Sequence, residues 1–507
     1  MLQAVPSSEP YTHKQVMGVV FGVVLCVLLA ALDQTVVIPA VPTMAAELNG
    51  FNHLSWIVTA YLLTSTASAP ILGKLSDLWG RRPAIIGALT LFILASMLCA
   101  CAQSVAQLIS FRALQGIGGG GLISLAQTAV ADVVSPRDRA RYQPYLVSMW
   151  AIASTAGPVF GGWVTQHASW RYAFWINLPV GAIALYLCYR GLALLPRKQA
   201  AGKVDAIGVL LMTAAVSLLL VVVSGDDMKR WISRPSLLML AASLLLIAGL
   251  AWYEKRAGDP LLPPRLFANK QCIGSILVAA LASVHNMAAA FLLPLYFQLA
   301  LGEAPGRSGV MVMPNLIAIT LASYASSQVV RRIGRLKSLL LAGTVMSAAS
   351  FAVMSLLQPS QGLALFLLAS IVLGCGLGLT FATLMVWVQN TSDPRDIGVA
   401  LGTQLLLRSM GGAFGAAVSG ALLLGYFNRT INLGGLPSVR LEDLRHGSAV
   451  MAQLSGQNRA MVLSGVTAGF HAAFIMCLVL AIAAIALSLR LTDLPLRTKA
   501  ALHDVLE

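Results

Sequence analysis

Charge is what this chain has least of. Aspartate, glutamate, lysine and arginine make up 10% of its 507 residues, where a soluble domain carries about 25%. Only 19 of those residues are acids. So little charge excludes an ordinary soluble enzyme. Strictly alternating apolar and polar segments are also lacking, which excludes a membrane β-barrel. The seven cysteines, Cys26, Cys99, Cys101, Cys188, Cys272, Cys375 and Cys477, fall in or beside apolar runs, and none has metal-ligand spacing. No metal site or disulfide framework is expected. A phosphate-binding loop is missing too. The run Gly116, Gly118, Gly119, Gly120, Gly121 has no following Lys-Ser/Thr and sits inside an apolar segment, so an ATP-driven pump is excluded. No nucleophile, base and orienting group cluster as an enzyme would need, and no cofactor is expected.

What remains is apolar. Hydrophobic residues reach 58% and mean hydropathy is +0.79. Runs of about 20 apolar residues recur along the whole length. They give fourteen expected spans: 16–40, 54–74, 83–102, 105–132, 143–165, 172–194, 205–224, 235–253, 271–300, 308–330, 337–357, 362–388, 398–426 and 467–490. The fold class is therefore all-α integral membrane. The first run is longer than a signal-peptide core and is read as a retained helix. The net charge of +15 does not point to nucleic acid, because the basic residues lie in short loops. With the N-terminus inside, most of the 34 lysines and arginines fall on the cytoplasmic side, so both termini are expected there.

The chain also repeats itself. Gly80-Arg81 after span 2 recurs as Gly334-Arg335 after span 10, 254 residues on. Gly157-Pro158-Val159-Phe160-Gly161 recurs as Gly411-Gly412-Ala413-Phe414-Gly415 at the same offset. Two parallel six-helix halves follow, in a transporter-like design with the substrate site between them. The expected order is a tail 1–15, a first bundle 16–200, two inserted helices 201–258, a second bundle 259–491 and a tail 492–507. The second bundle includes an extracytoplasmic loop, 427–466, with an amphipathic stretch around 441–454.

A charge at membrane depth costs roughly 2.5–3.5 kcal/mol even on lenient scales, so it marks function by default. Asp33 in span 1 and Arg112 in span 4 both lie about 10–12 Å below the outer surface at 1.5 Å per residue. Equal depth permits pairing. The functional reading is an Asp33 that is protonated in one state and ionised in another, the arginine favouring the charged form. The plain alternative is a permanent structural pair. His285, near the midplane in span 9, is either a second proton site or a core histidine. The candidate cavity set is Tyr61, Gln115, Trp150, Asn286, Tyr296, Gln298, Trp387 and Gln389, with Asn390 beside them. Arg408, in span 13, is a candidate for snorkelling. One embedded acid and two embedded arginines fit a neutral, monocationic or anionic cargo better than a dication.

Five stretches resemble the major facilitator superfamily. Gly73-Lys74-Leu75-Ser76-Asp77-Leu78-Trp79-Gly80-Arg81-Arg82 is similar to its loop 2–3 signature. Phe111-Arg112-Ala113-Leu114-Gln115-Gly116-Ile117-Gly118 is similar to its span 4 motif, and Ala156-Gly157-Pro158-Val159-Phe160-Gly161-Gly162 to its span 5 antiporter motif. Leu32-Asp33-Gln34-Thr35-Val36-Val37-Ile38-Pro39-Ala40-Val41-Pro42 resembles the span 1 motif of the fourteen-helix drug:proton antiporter branch. Trp170-Arg171-Tyr172-Ala173-Phe174-Trp175-Ile176-Asn177-Leu178-Pro179-Val180-Gly181 resembles the start of that branch's span 6. There are departures. Leu78 replaces a basic residue, Ile38 replaces an asparagine, and the second-half loop has Arg331 where the first has Asp77.

The resemblance implies a proton-coupled exporter of amphipathic small molecules that works by alternating access and draws on the proton gradient. It implies a cytoplasmic gate of Gly73, Asp77, Gly80, Arg81 and Arg82, with Asp77 meeting Arg137, Arg139 or the N-terminus of a facing helix. Gly157, Gly161 and Gly162 permit close helix approach and Pro158 removes a backbone donor, with spans 5 and 13 expected to pack and seal the exit path. A lipid or glycolipid transporter on the same scaffold is the alternative. Expected partners are the cargo, protons and membrane lipid, without nucleic acid, in a monomer in a bacterial inner membrane.

Overall fold

The computed structural model describes residues 13–48, 54–134, 142–194, 205–223, 233–303, 305–358, 363–393, 395–433, 456–493 and 495. All regular structure among them is helical. The helices are α1 (His13–Glu47), α2 (Leu54–Trp79), α3 (Arg81–Ala100), α4 (Val105–Val133), α5 (Gln143–His167), α6 (Asn177–Gly191), α7 (Ala206–Val223) and α8 (Arg234–Glu254). They continue with α9 (Lys270–Leu299), α10 (Pro305–Ile333), α11 (Lys337–Leu356), α12 (Leu363–Thr391), α13 (Ile397–Leu433) and α14 (Gly456–Arg490). A short helical turn, Tyr172–Trp175, leads into α6, and another, Pro264–Ala268, precedes α9.

Among the described residues, 12 helices are long and apolar enough to cross a membrane. The other two are α5 and the shorter α7. With no water in a bilayer core, a helix satisfies its own backbone, which is why apolar length yields helices here. Their ends carry local signals. Ser104 accepts from the Gln107 N–H to start α4, and Asn269 accepts from the Gln271 and Cys272 N–H groups to start α9.

The helices pack as two matching sets. In the first half α4 lies on α2 and α3, and α1 lies on α4, α5 and α6. In the second, α12 lies on α10 and α11, and α9 lies on α12, α13 and α14. The repeat seen in the sequence thus reappears as the same pattern of neighbours. The halves meet along α2 with α13, α5 with α10, and α4 with α13. Helices α7 and α8 pack on each other, and α7 leans on α2 and α13 beside that seam.

Three expectations change. Helix α1 runs on through Pro39 and Pro42 to Glu47, beyond the expected end at 40. Helices α13 and α14 extend to Leu433 and back to Gly456, so both flanks of the 427–466 segment are helical. Hydropathy falls where a helix leaves apolar surroundings, but its hydrogen-bond ladder continues. Third, α5 packs on α1 and α10, and α13 on α9 and α2, in place of the expected α5–α13 contact. The tails, the stretch around 441–454, and Arg137 and Arg139 lie outside the described residues.

Candidate functional site: a buried ion pair and a helix-capping latch

Two glycine seams set the positions of the charged residues. On α5, a Cβ at Gly157 would lie 2.0 Å from the Thr35 Oγ1, and one at Gly161 would lie 2.2 Å from the Val36 carbonyl oxygen. Only glycine lets α1 and α5 come this close. Thr35 then donates across the seam to the Ala153 carbonyl at 2.8 Å. Gly162 faces open space instead, and Pro158 lies within α5. On α4, a Cβ at Gly116 would meet the Thr64 Oγ1 at 2.1 Å, one at Gly119 the Tyr61 Oη at 2.3 Å, and one at Gly120 the Ser65 carbonyl at 1.9 Å. The run with no phosphate-binding role is a packing surface that presses α4 onto α2.

That packing brings Asp33 and Arg112 together. Arg112 Nη1 donates to Asp33 Oδ2 at 2.5 Å, and the two side chains are 1% and 0% exposed. Water reaches neither. Asp33 Oδ1 accepts from Gln115 Nε2 at 2.8 Å and from Asn177 Nδ2 at 3.0 Å. Arg112 Nη1 also donates to Gln115 Oε1 at 2.8 Å, and its Nε to the Ile57 carbonyl at 3.3 Å. The Tyr61 ring lies under the guanidinium, 4.3 Å from its carbon. Asn177 also donates to Ser96 Oγ at 3.0 Å, and Ser96 donates to the Phe174 carbonyl at 2.9 Å. Helices α1, α2, α3, α4 and α6 all contribute. Breaking a buried pair from one side typically costs 3–5 kcal/mol, because an uncompensated charge remains. A neutral side chain at position 33 would leave Arg112 in that condition.

Asn177 and Ser96 were not singled out from the sequence. The signals for Asn177 were its place in the stretch resembling the span 6 start and an amide at the head of an otherwise apolar span, and Ser96 had none. The other candidates separate. Tyr61 and Gln115 belong to the ion-pair network. His285 is buried in the second half, 5.3 Å from the Phe351 ring centroid, with a backbone hydrogen bond to Cys477 and a buried Nε2 that has no partner. No charged group pairs with it among the described residues. Tyr296 stacks on Phe366 at 4.0 Å inside an aromatic core that includes Phe470. Trp387 is buried with Leu336, Leu340 and Leu491. Gln389 and Asn390 are buried, and Asn390 donates to the Pro495 carbonyl at 3.3 Å. Gln298 donates to Ser308 at 2.8 Å. Trp150 and Asn286 keep partial exposure.

At the end of α2 a second charged cluster joins the halves. Gly80 turns the chain with φ at +93°, a conformation suited to glycine. Arg81, just after the turn, is buried. Its Nε donates to Asp132 at 2.6 Å and its Nη1 to Ser76 at 2.6 Å and to Asp77. Asp77 in turn accepts from the Gly398 and Val399 N–H groups at 3.3 and 3.1 Å. A carboxylate thus caps the N-terminus of α13, where the helix dipole is positive. Gly73 and Gly398 make this approach possible, since a Cβ at Gly73 would lie 2.4 Å from the Gly398 oxygen. The latch is shut at this face. Of the expected partners for Asp77, the facing helix N-terminus is observed, and Arg137 and Arg139 lie outside the described residues. Arg82 instead lies over the Tyr189 ring at 4.5 Å. In the second half Gly334 makes the matching turn with φ at +70°. There Asp493, from beyond α14, accepts from the Leu336 and Lys337 N–H groups.

At the opposite face, Glu47 accepts from Trp170 Nε1 at 2.6 Å and from Arg171, tying α1 to the turn before α6. The Arg171 guanidinium holds the Glu47 carboxyl below the usual carboxylate range.

Comparison with known proteins agrees with this geometry. The sequence profile of the Major Facilitator Superfamily matches residues 23–416. An uncharacterized MFS-type transporter of Mycobacterium tuberculosis (strain H37Rv) is 32% identical over 492 residues, covering 96% of this chain and 70% of the relative. The multidrug transporter protein MdtP of Bacillus subtilis (strain 168) is 33% identical over 405 residues, covering 79% and 74%. In structure, the proton:xylose symporter XylE superposes with a TM-score of 0.62 at 14% identity, over 98% of this chain and 100% of that one. The human organic anion transporter MFSD10 superposes with a TM-score of 0.60 at 17% identity, over 92% and 99%. These last two show the fold alone. The chain is a membrane transporter and belongs to the Major Facilitator Superfamily.

Proposed function

We propose that this transporter is a proton-coupled antiporter that exports amphipathic small molecules, drugs or metabolites, from a bacterial cytoplasm. In this reading α1–α14 all cross the membrane, the latch face and both termini are cytoplasmic, and the protein acts as a monomer. The observation that carries it is Asp33. Among the described residues it is the one acid buried at mid-helix depth, and it is bonded directly to Arg112, Gln115 and Asn177. The sequence similarity to a protein named as a multidrug transporter supports the cargo class.

The cycle follows from the two charged clusters. With Asp33 ionised and paired, the first half is electrically satisfied and the latch holds the cytoplasmic face shut. A proton arriving from outside neutralises Asp33 and leaves Arg112 without its counter-charge. The resulting repacking of α1 and α4 loosens their neighbours α2 and α13, which carry the latch. Opening inward releases the proton and admits cargo.

Purified protein in proteoliposomes with an imposed pH gradient tests this against a panel of amphiphiles. Wild type moves cargo against its gradient and takes up protons. Asp33→Asn keeps downhill exchange and loses the gradient-driven step. Full proton-driven transport by Asp33→Asn would overturn the reading.

A further inference from the structure

Among the described residues the second half holds one charge at depth, and it is compensated quite differently from Arg112. Arg408 lies on α13, 11 residues in from Ile397, about 16 Å along the helix. That is too deep for its head to reach the latch face by extending its stem. It shares a helix face with Gly411, Gly412 and Gly415, three, four and seven residues on. Those glycines abut α9, a Cβ at each meeting the Ala280 oxygen at 2.4 Å, the Met287 Cγ at 2.9 Å and the Val284 oxygen at 2.4 Å. Arg408 therefore points into the protein and away from lipid.

What it meets there is one aromatic ring. Its guanidinium carbon lies 4.5 Å over Phe381 of α12. No carboxylate pairs with it among the described residues, and its Nε is buried without a hydrogen-bond partner. The side chain keeps part of its surface open. Arg112, by contrast, has Asp33, Gln115, the Ile57 carbonyl and the Tyr61 ring. Arginine cannot shed its charge by losing a proton, and a ring face offsets only part of its desolvation. The repeat-matched position in the first half, 254 residues earlier, is Ser154, so the fold itself does not call for a cation here. Helices α9 and α12, which flank Arg408, are the counterparts of α1 and α4, the helices that carry Asp33 and Arg112.

We propose that Arg408 and Phe381 form the recognition point for the anionic head of the cargo. The ligand class is an amphiphile with one carboxylate, the guanidinium fork taking its oxygens and the ring covering the adjoining apolar carbons. This rests on the export reading and narrows it, and a cationic amphiphile is disfavoured by the same charge.

The test uses full-length protein in nanodiscs of zwitterionic lipid and three matched probes: 6-(2-naphthyl)hexanoic acid, its primary amide and 6-(2-naphthyl)hexylamine. Equilibrium binding of the acid by wild type is expected about ten-fold or more tighter than that of the amide, with the amine weakest. Arg408→Gln removes the preference for the acid and leaves amide binding within about two-fold. Arg408→Lys, which keeps the charge but not the fork, retains the order of preference with a smaller margin, and serves if the glutamine variant does not fold. Equal binding of acid and amide by wild type, no saturable binding of the acid, or an unchanged preference in Arg408→Gln would each overturn the proposal. Equilibrium binding of these probes needs no pH gradient, so it is read separately from transport. A failure of proton-driven flux with this preference intact would therefore count against the antiport reading alone.

Discussion

Replacing Asp77 by asparagine should shift the transporter toward opening at the latch face, by an amount the geometry sets. Two kinds of contact made by Asp77 among the described residues matter here. Its bond to Arg81 lies within the first half and survives opening. Its bonds to the Gly398 and Val399 N–H groups cross between halves and must break. Asparagine keeps the size and one acceptor oxygen but loses the charge. A charge at a partly buried helix N-terminus contributes up to about 2 kcal/mol, and hydrogen bonds to charged groups exceed neutral ones by about 1 kcal/mol each. These terms overlap, so about 2 kcal/mol is the reasonable loss, a shift of roughly 30-fold in the closed-to-open ratio. Spin labels at Trp79 and Arg395, both exposed beside the latch, would report it by double electron–electron resonance in a cysteine-free background. Wild type should give mainly the short distance, and Asp77→Asn a grown long-distance population. Gly398→Val provides a steric control, since a Cβ there would lie 2.6 Å from the Gly73 oxygen. If the valine variant opens the face and Asp77→Asn leaves the distances unchanged, the electrostatic account of the latch is wrong.

Other expectations follow from the same contacts. Arg112→Gln and Asp33→Asn should each lower the apparent unfolding temperature in detergent, at a cost of about 3–5 kcal/mol for an orphaned buried charge. The double variant should recover much of that loss while still failing to couple protons, and a double variant no more stable than either single would count against a buried pair. Gly120→Val and Gly161→Val should abolish folded protein on size-exclusion chromatography, because their Cβ atoms would lie 1.9 and 2.2 Å from backbone oxygens, whereas Gly162→Ala should be tolerated. Glu47, whose carboxyl is held low by Arg171, stabilises the corner above the ordinary carboxylate pKa and loses that contribution as pH falls through its depressed value. Tryptophan emission should therefore stay constant from neutral pH to about 4 and change below it, and Glu47→Gln should lack that transition.

Much of this was legible because helices have a fixed rise. Asp33 and Arg112 could be placed at one depth from residue counts alone, and the repeat offset fixed which helices correspond. Asn177 and Ser96 could not be found that way, because their meeting with Asp33 depends on how α6 and α3 lie against α1. Tyr296 and Trp387 were read as cavity residues and are buried in the second half, since a polar-tipped aromatic on an apolar helix looks the same in either place. The five glycines of α4 excluded a phosphate loop from sequence, but their packing partners needed coordinates. Arg408 was visible as an embedded charge. That no acid among the described residues lies beside it depends on how all the neighbouring helices pack.

Helix α13 spans 37 residues and α14 spans 35, about 55 and 52 Å at 1.5 Å per residue, while a hydrocarbon core is about 30 Å thick. Since α13 begins at the latch, the excess projects from the opposite face. There Phe427, Ile431 and Val462 are buried in the core of the second half with Phe366 and Phe470, and Gly465 packs against Thr430, so the paired helix ends are anchored in that core. A 53.4 kDa protein wrapped in detergent offers little for particle alignment in electron cryomicroscopy. The far end of this helix pair is a built-in handle, and an antibody fragment raised against it would serve as a fiducial without touching the latch or the ion pair.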